Sequence, residues 1–195
     1  MGVVNNSGGN FTYLSIKAGS SRDELDPGLY SGKEKIGQGY EGKLLSFAYR
    51  PWTDDRGRDQ NAFKFAIDGS ENGDGSEIAI ISINFNMMAM SLINTLAKAS
   101  EEKGALFAGS TIMLRAYEKG GYAKLYIEID GEKGDWLYPW DKVAGIKDDA
   151  KRWGDLVKKH ITPNLPEKFV MDGDTEGSVP EPVTVSQDDD LGLPF

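Results

Sequence analysis

The sequence predicts a mainly β fold, because apolar and polar residues alternate through most of the first 130 residues. A period of two is typical of strands that bury one face. Clusters of Gly, Asn, Asp and Ser separate the alternating stretches, as turns require. Strands are predicted at 10–18, 40–50, 62–68, 77–84, 110–117 and 122–130, and helices at 87–103 and 148–160.

The four N-terminal strands follow one another in order, with a long connection after the first. The strand at 40–50 sets Leu45, Phe47 and Tyr49 on one face, and the strand at 62–68 repeats that pattern with two phenylalanines and an isoleucine. The isoleucine-rich stretch 77–84 predicts a buried strand. The segment from about 19 to 39 is rich in Gly, Ser and Asp and is predicted to be a connection without strands.

The period then becomes helical. Met87, Met90, Ile93 and Leu96 recur at helical spacing, and Gly104 is a stop signal. The second predicted helix carries its apolar stripe on one side in the same way. These two segments are the helical elements that the pattern predicts.

The last two strands are joined by 118–121, a Gly-containing loop that predicts a hairpin. Symmetric closure of that loop pairs Tyr117 with Tyr122 and, further along, Arg115 with Lys124. One face of the hairpin then carries aromatic and basic side chains, and the other is aliphatic.

The order of elements predicts a particular architecture. Three strands, a helix and a final hairpin are the order of an OB-fold, a five-stranded Greek-key barrel that binds oligonucleotides and oligosaccharides. The expectation is an OB-fold barrel with one helix between strands 3 and 4, an extra N-terminal strand and a C-terminal helix. An SH3-like barrel or an irregular α+β sheet are the alternatives that strand order leaves open.

Charge divides the chain into two regions. Of its 31 acidic residues, seven lie in 171–195, which contains no Lys or Arg. The rest of the chain holds 24 acidic and 22 basic residues, a net of −2 within the total of −9. A domain at 1–170 and a disordered acidic tail at 171–195 are therefore expected, because the tail is too poor in apolar residues to fold alone.

Single-stranded nucleic acid requires cationic side chains for the phosphates and aromatic rings on which bases stack. Such residues crowd the first predicted hairpin loop, its flanking strands and one face of the last hairpin. The candidates are Lys43, Arg50, Trp52, Arg56, Arg58, Lys64, Arg115, Tyr117, Tyr122, Lys124 and Tyr126.

Catalytic chemistry has little support in this composition. The chain has no cysteine, so thiolate metal sites are excluded, and with a single histidine, His160, the common nucleophilic pairs have almost no support. Asp54, Asp55 and Asp59 are the acids that a metal-dependent nuclease would use, although a second cluster is lacking. No catalytic residue, metal or cofactor is expected, and the protein is predicted not to be an enzyme.

No targeting or membrane segment is expected. The first residues lack a basic region and an apolar stretch, and no apolar run approaches the roughly 20 residues needed to span a bilayer. A cytoplasmic location in a bacterial or phage-infected cell is the expectation, without a membrane partner.

The end of the tail carries a specific motif. Three aspartates, a short apolar spacer and Pro-Phe resemble the C-terminal tip of phage and bacterial single-stranded-DNA-binding proteins. The residues that carry this resemblance are Asp188, Asp189, Asp190, Leu191, Leu193, Pro194 and Phe195. The resemblance implies that this tip docks replication, recombination and repair proteins. The spacer departs from the family, because Leu191-Gly192-Leu193 stands where bacterial members usually have one apolar residue.

These observations together predict a protein that binds single-stranded DNA with little sequence preference and recruits replication and recombination proteins through its tail. The alternatives are an OB-fold module that binds RNA or a protein, and the nuclease described above. A homo-oligomer is compatible with the sequence, which does not determine the oligomeric state.

Overall fold

The computed structural model describes residues 11–20, 24–54, 56–71 and 73–166, which form one mixed sheet with helices against one face. The strands are β1 (Phe11–Lys17), β2 (Gly28–Ser31), β3 (Glu34–Gly37), β4 (Gly39–Thr53), β5 (Asp59–Asp68), β6 (Ile78–Asn84), β7 (Thr111–Glu118), β8 (Ala123–Ile129) and β9 (Glu132–Lys133). Their order in space is β3-β2-β1-β6-β5-β4-β7-β8-β9. β1 and β6 run parallel, and the other neighbouring strands are antiparallel.

Helical segments follow β6 and β9. They are α1 (Met87–Lys103), α2 (Trp140–Val143), α3 (Ala150–Leu156), 3₁₀ turns at Gly104–Gly109, Ala144–Ile146 and Thr162–Asn164, and a π-helical turn at Val157–Ile161. The Asn86 side chain caps α1, because its oxygen accepts hydrogen bonds from the backbone N–H groups of Met88 and Ala89 at 2.9 and 3.1 Å. Both predicted helices are therefore present.

The helices pack on the face that carries Phe47, Phe63 and Phe65, which we call the inner face. Phe63 and Phe65 are at most 1% exposed, and the rings of Phe47 and Phe65 are stacked with centroids 5.3 Å apart. Complete burial of such a side chain contributes about 1.5–3 kcal/mol. The core lies between this face and α1, with α3 and the π-helical turn at its side.

A bulge in β4 changes which leucine belongs to the core. The ladder with β5 pairs Leu44 with Ile67 and resumes at Ser46, so Leu45 has no cross-strand partner. An extra residue shifts the alternation of the bulged strand by one position. Leu44, 1% exposed, therefore joins Phe47 in the core, and the prediction that placed Leu45 there was wrong.

β7 and β8 form the predicted hairpin with a register that differs by two residues. Tyr117 pairs with Lys124 and Arg115 pairs with Tyr126, so the predicted pair of Tyr117 with Tyr122 was wrong. A shift of two residues leaves every side chain on the face that the alternation assigned to it. The aromatic and basic face of the hairpin is therefore as predicted, although its partners differ.

The register differs because the turn is centred between Gly120 and Gly121, one residue later than the centre of the loop that was assumed. Gly120 and Gly121 have φ of +67° and +77°, and the Lys119 N–H donates to the Tyr122 carbonyl at 3.0 Å. Two consecutive positive φ angles form the compact hairpin turn that matches the twist of the strands, and glycine adopts them without strain. Tyr122 thus lies at the tip of the hairpin instead of facing Tyr117.

β2 and β3 lie in the segment that was predicted to be a connection. Each has four residues, too few to show two full alternations, and Gly32 makes the turn between them with φ of +60°. Tyr30 of β2 is 1% exposed, and its hydroxyl donates to the Asp26 carbonyl at 2.6 Å. This small hairpin extends the sheet beyond β1.

The mainly β class is confirmed, and so is the position of α1 between the third and fourth strands of the predicted barrel. Closure of an OB-fold barrel is not confirmed, because the sheet of the described residues is open with β3 and β9 at its edges. A barrel of β4 to β8 would need β6 to pair with β8. β6 pairs instead with β1, and β8 pairs with β9.

Hydrogen bonds join the C-terminal helical segments to α1. The Ser100 hydroxyl donates to the His160 carbonyl at 2.6 Å, and the Asn164 amide donates to the Ser100 hydroxyl at 2.9 Å. Nδ1 of His160 lies 2.5 Å from a Glu101 carboxylate oxygen, and Nε2 lies 3.1 Å from the Tyr138 hydroxyl. The single histidine thus belongs to a structural network.

The predicted acidic tail lies outside the described residues. Among the residues that the structure describes, no helix is long and apolar enough to cross a bilayer.

Packing of α3 on β4 leads to a stability prediction. A Cβ atom at Gly154 would lie 2.9 Å from side-chain atoms of Tyr49, which is closer than carbon atoms normally approach. Gly154→Val should therefore reduce the free energy of unfolding by about 2–3 kcal/mol, as overpacked substitutions do. Urea titration followed by circular dichroism measures this change. Gly145→Val is the matched control, because a Cβ there has no neighbour within 4 Å, and an equal loss in both variants would contradict the prediction.

The environment of His160 predicts a pH dependence of stability. Burial lowers the pKa of His160, and the neighbouring Glu101 carboxylate opposes this effect in part. The folded state thus binds a proton less readily than the unfolded chain, whose histidine titrates near about pH 6.5. The contribution is complete above that pH and is lost as the pH falls toward the lower folded pKa.

Urea titrations at pH 7.5 and 5.5 test this prediction. The wild-type chain should lose stability between these values, and His160→Gln should lose less, since no other histidine is present. Identical losses in the two proteins would show that His160 is not the titrating group.

Candidate nucleic-acid interface

The sheet face opposite the helices, which we call the outer face, carries small and polar side chains where β1, β6, β5 and β4 lie side by side. The register forms a row in which Ser15 lies beside Ser82, Ser82 beside Lys64, and Lys64 beside Ala48. The neighbouring rows contain Ala62 and Ala66 of β5, and these two alanines are at most 3% exposed. Their side chains lie outside the main core cluster. Ile80, which pairs with Ala66, is also buried, so the floor of the outer face is apolar and the exposed side chains stand above it.

Arg50, Trp52 and Lys64 lie together above this floor. Arg50 and Trp52 are two residues apart in β4 and therefore share a face. Arg50 is the diagonal neighbour of Lys64, at a distance of about 7–8 Å between Cα atoms. Trp52 is 51% exposed, and Lys64 is exposed. We call these three residues the first cluster.

The β4–β5 loop holds the two predicted arginines differently. The Asp54 carboxylate accepts hydrogen bonds from the backbone N–H groups of Arg56 and Arg58 at 3.0 and 2.9 Å, and from Nε of Arg58 at 2.8 Å. These bonds, the Arg58 side chain foremost, lower the pKa of Asp54. The Arg58 guanidinium is therefore engaged in fixing the loop, while the residue Arg56 is exposed.

A second cluster occupies the outer face of β7 and β8 and consists of Arg115, Tyr117, Lys124 and Tyr126. Arg115 pairs with Tyr126, and Tyr117 pairs with Lys124. A guanidinium N–H of Arg115 donates to the Gln38 side chain at 3.1 Å. All four residues are at least partly exposed.

Two further tyrosine features bear on the second cluster. The Tyr126 hydroxyl donates to a Glu128 carboxylate oxygen at 2.8 Å, and this bond raises the pKa of Tyr126. Tyr122, at the tip of the hairpin, is 71% exposed and stands apart from the strand residues. The structure therefore presents this ring to solvent but does not place it opposite Tyr117.

Lys43 lies between the two clusters. It pairs with Thr111 on one side and with Asp68 on the other, where β4 passes from β7 to β5. Gly39, which pairs with Arg115, and Arg50 are separated by eleven residues of β4, so about 35 Å of strand separate the clusters. Seven of the eleven predicted residues thus form two clusters with Lys43 between them, while Arg56, Arg58 and Tyr122 belong to neither cluster.

The acids considered for a nuclease have other partners. Asp59 accepts a hydrogen bond from the Thr53 hydroxyl at 3.0 Å, and Asp54 organises its own loop. Asp55 lies outside the described residues. In the described part of the chain, no group of three or more His, Asp or Glu residues could hold a metal ion.

One exposed aromatic residue of the outer face was missed by the sequence prediction. Tyr13 of β1 is 60% exposed and pairs with Ile80 of β6. The signal was present in the sequence, because Leu14 and Ile16 are buried and the alternation places Tyr13 on the opposite face. The pairing of β1 with β6, on which the position of Tyr13 depends, is a long-range contact that alternation does not reveal.

Comparison of the chain with protein-family models, with curated proteins and with solved structures finds no match.

Proposed function

We propose that this protein binds single-stranded DNA with little sequence preference during DNA replication, recombination and repair. We propose further that its acidic C-terminal segment recruits partner proteins. The observation that carries the first proposal is the first cluster, in which an exposed indole and two cations lie together on the outer face. Cations bind phosphates, and an aromatic ring stacks on any base.

The composition of the outer face favours weak sequence preference. Base identity is read by groups that hydrogen-bond to base edges at defined positions. Stacking on Trp52 requires only the face of a base, and Lys64 and Arg50 suit the phosphates, which every nucleotide carries. Ser82 and Ala48, on either side of Lys64, have small side chains that leave room for a DNA strand to lie close to the sheet.

The OB-fold remains our proposal for the arrangement of β4 to β8. Two features support it: α1 connects β6 to β7, and the long strand β4 pairs with β5 through most of its length and with β7 through its first residues. In addition, β2 lies against both β4 and β7, so the sheet curls toward itself. OB-folds are partly open barrels with oligonucleotides bound across their outer strands.

The acidity of the whole chain is compatible with this proposal. Seven of the acidic residues lie in 171–195, and the remaining chain is nearly neutral. The charge of the first cluster therefore acts locally, because salt limits electrostatic interactions to about 8 Å at physiological ionic strength. The same acidic segment can occupy the cationic surface in the absence of DNA, and its apolar residues Leu191, Leu193 and Phe195 suit a docking pocket on a partner.

Replacement of Trp52 tests the proposed DNA interface. Trp52→Ala should weaken binding of fluorescently labelled oligo-dT by about 5- to 150-fold, because one base stack contributes about 1–3 kcal/mol. Fluorescence anisotropy at several salt concentrations measures the dissociation constant without dependence on the tryptophan signal. Trp140→Ala is the matched control, since Trp140 is 42% exposed but belongs to α2.

Three outcomes would contradict the proposed function. Absence of oligo-dT binding by the wild-type chain at low salt would refute it. Stronger binding of an RNA oligonucleotide of the same length would favour an RNA-binding module. Shortening of the oligonucleotide in the presence of a divalent metal would favour the nuclease.

Removal of negative charge from the acidic segment should raise the affinity for oligo-dT, whereas Trp52→Ala should lower it. Replacement of Asp188, Asp189 and Asp190 by asparagine should tighten binding of oligo-dT at low salt, because competing negative charge is removed. The difference should disappear near 1 M salt, where the screening length is about 3 Å. Replacement of Leu191 and Phe195 by alanine is the matched control and should leave DNA affinity unchanged. Equal affinities of the asparagine variant and the wild type at all salt concentrations would argue against competition.

A further inference from the structure

We infer that β1 extends the proposed DNA-binding surface and that Tyr13 is a second base-stacking residue, at the opposite end of this surface from Trp52. This inference rests on the proposed function and names a contact that the first cluster does not include. It is argued from the register of β1, the exposure of Tyr13 and the position of Lys64.

The register places Tyr13 on the same surface as the first cluster. β1 pairs with β6 in parallel from Phe11 to Ile16, and β6 pairs with β5 throughout its length. The row through Tyr13 therefore continues across Ile80 and Ala66 to Ser46 of β4. It lies next to the row that contains Lys64.

The neighbours of Tyr13 leave its ring accessible. Ile80 and Ala66, the next two residues of its row, are 7% and 0% exposed, whereas Tyr13 is 60% exposed. Ile80 is the large cross-strand neighbour that can support one side of the ring. Because Tyr13 is 60% exposed, the rest of the ring lies in solvent, where a base can stack on it.

The distances among Tyr13, Lys64 and Trp52 also suit single-stranded DNA. Neighbouring strands are about 4.8 Å apart and alternate residues of one strand are about 6.7 Å apart. From these values Tyr13 lies about 12 Å from Lys64 and about 25 Å from Trp52, measured between Cα atoms. Twelve nucleotides cover a span of about 25 Å even at the 3.4 Å spacing of a duplex strand, and such a length lies within the site sizes of about 4–16 nucleotides of OB-fold proteins.

The cations are arranged along this diagonal. Lys64 lies between the row of Tyr13 and the row of Arg50. A DNA strand that runs from Tyr13 to Trp52 therefore passes both positive charges. Lys17 is engaged elsewhere, because its ammonium group donates to the Gly32 carbonyl and lies 5.4 Å from the centre of the Tyr30 ring. The inference therefore assigns no phosphate contact to Lys17.

Two substitutions in the full chain separate stacking from packing. Tyr13→Leu retains an apolar side chain above Ile80 but removes the ring, and Tyr13→Phe retains the ring. Anisotropy with labelled oligo-dT of 4 and of 12 nucleotides measures the affinities, with Trp140→Leu as the control for loss of an exposed ring away from the outer face. Tyr13→Leu should weaken binding of the longer oligonucleotide by about fivefold or more, while Tyr13→Phe binds like the wild type.

The short oligonucleotide identifies the cause. Four nucleotides cannot reach from Trp52 to Tyr13, so Tyr13→Leu should bind them nearly as the wild type does. An equal loss on both lengths would indicate a packing role and overturn the inference. Wild-type affinity of Tyr13→Leu for the longer oligonucleotide would overturn it as well, and it would leave the proposed function intact.

A measurement on the wild-type chain does not depend on the folding of variants. Oligo-dT that contains 5-iodouracil forms photochemical crosslinks with aromatic side chains in contact with the base, and mass spectrometry locates them. A crosslink at Tyr13 supports the inference, and crosslinks confined to Trp52 and the β7–β8 hairpin overturn it. A wild-type chain that binds no oligo-dT would overturn both this inference and the proposed function.

Discussion

β4 is the strand on which the rest of the sheet depends. Its first residues hydrogen-bond to β7, and the residues from Lys43 onward hydrogen-bond to β5, so one continuous strand joins the two halves. The bulge at Leu45 lies just beyond the point where the partner changes. Bulges bend a strand and increase its twist, which lets Leu44 and Phe47 reach the same core while Lys43 and Arg50 remain on the outer face. β4 thus contributes both to the core, on the inner face, and to the candidate interface, on the outer face.

The two faces of this sheet have opposite requirements. The inner face is filled with large side chains such as Phe63 and Phe65, because burial of apolar area supplies most of the stability. The outer face of β5 and β6 carries Ala62, Ala66 and Ser82 beside Ile78 and Ile80, and these alanines and isoleucines are at most 7% exposed. Side chains of the outer face that reach solvent include Tyr13, Trp52 and Lys64. These exposed aromatic and cationic groups are the physical reason to regard the outer face as a candidate interface.

Sequence reasoning succeeded where the signal is local and failed where it is not. Alternation located the long strands and helical spacing located α1, since both depend on residues a few positions apart. The partner of Tyr117 depended on whether Gly120 and Gly121 alone form the turn, and the burial of Leu44 depended on a bulge that leaves no mark in the pattern. Openness of the sheet also could not be predicted, because it results from β6 pairing with β1 across more than sixty residues. The candidate cations were predicted individually, but their separation into two clusters follows from β4.

The surroundings of the two clusters make them unequal as candidates for the proposed DNA-binding surface. Around Arg115 the register brings Glu41 and Glu128 onto the same face, beside Met113, and Glu128 already accepts a hydrogen bond from Tyr126. Carboxylates so close lie within one screening length and oppose the approach of phosphate. Beside Lys64 the rows contain serine, alanine and isoleucine, and the loop acid Asp54 forms an ion pair with Arg58. A single strand should therefore bind first to the surface of β1, β6, β5 and β4, and it should reach the β7–β8 hairpin only as its length increases.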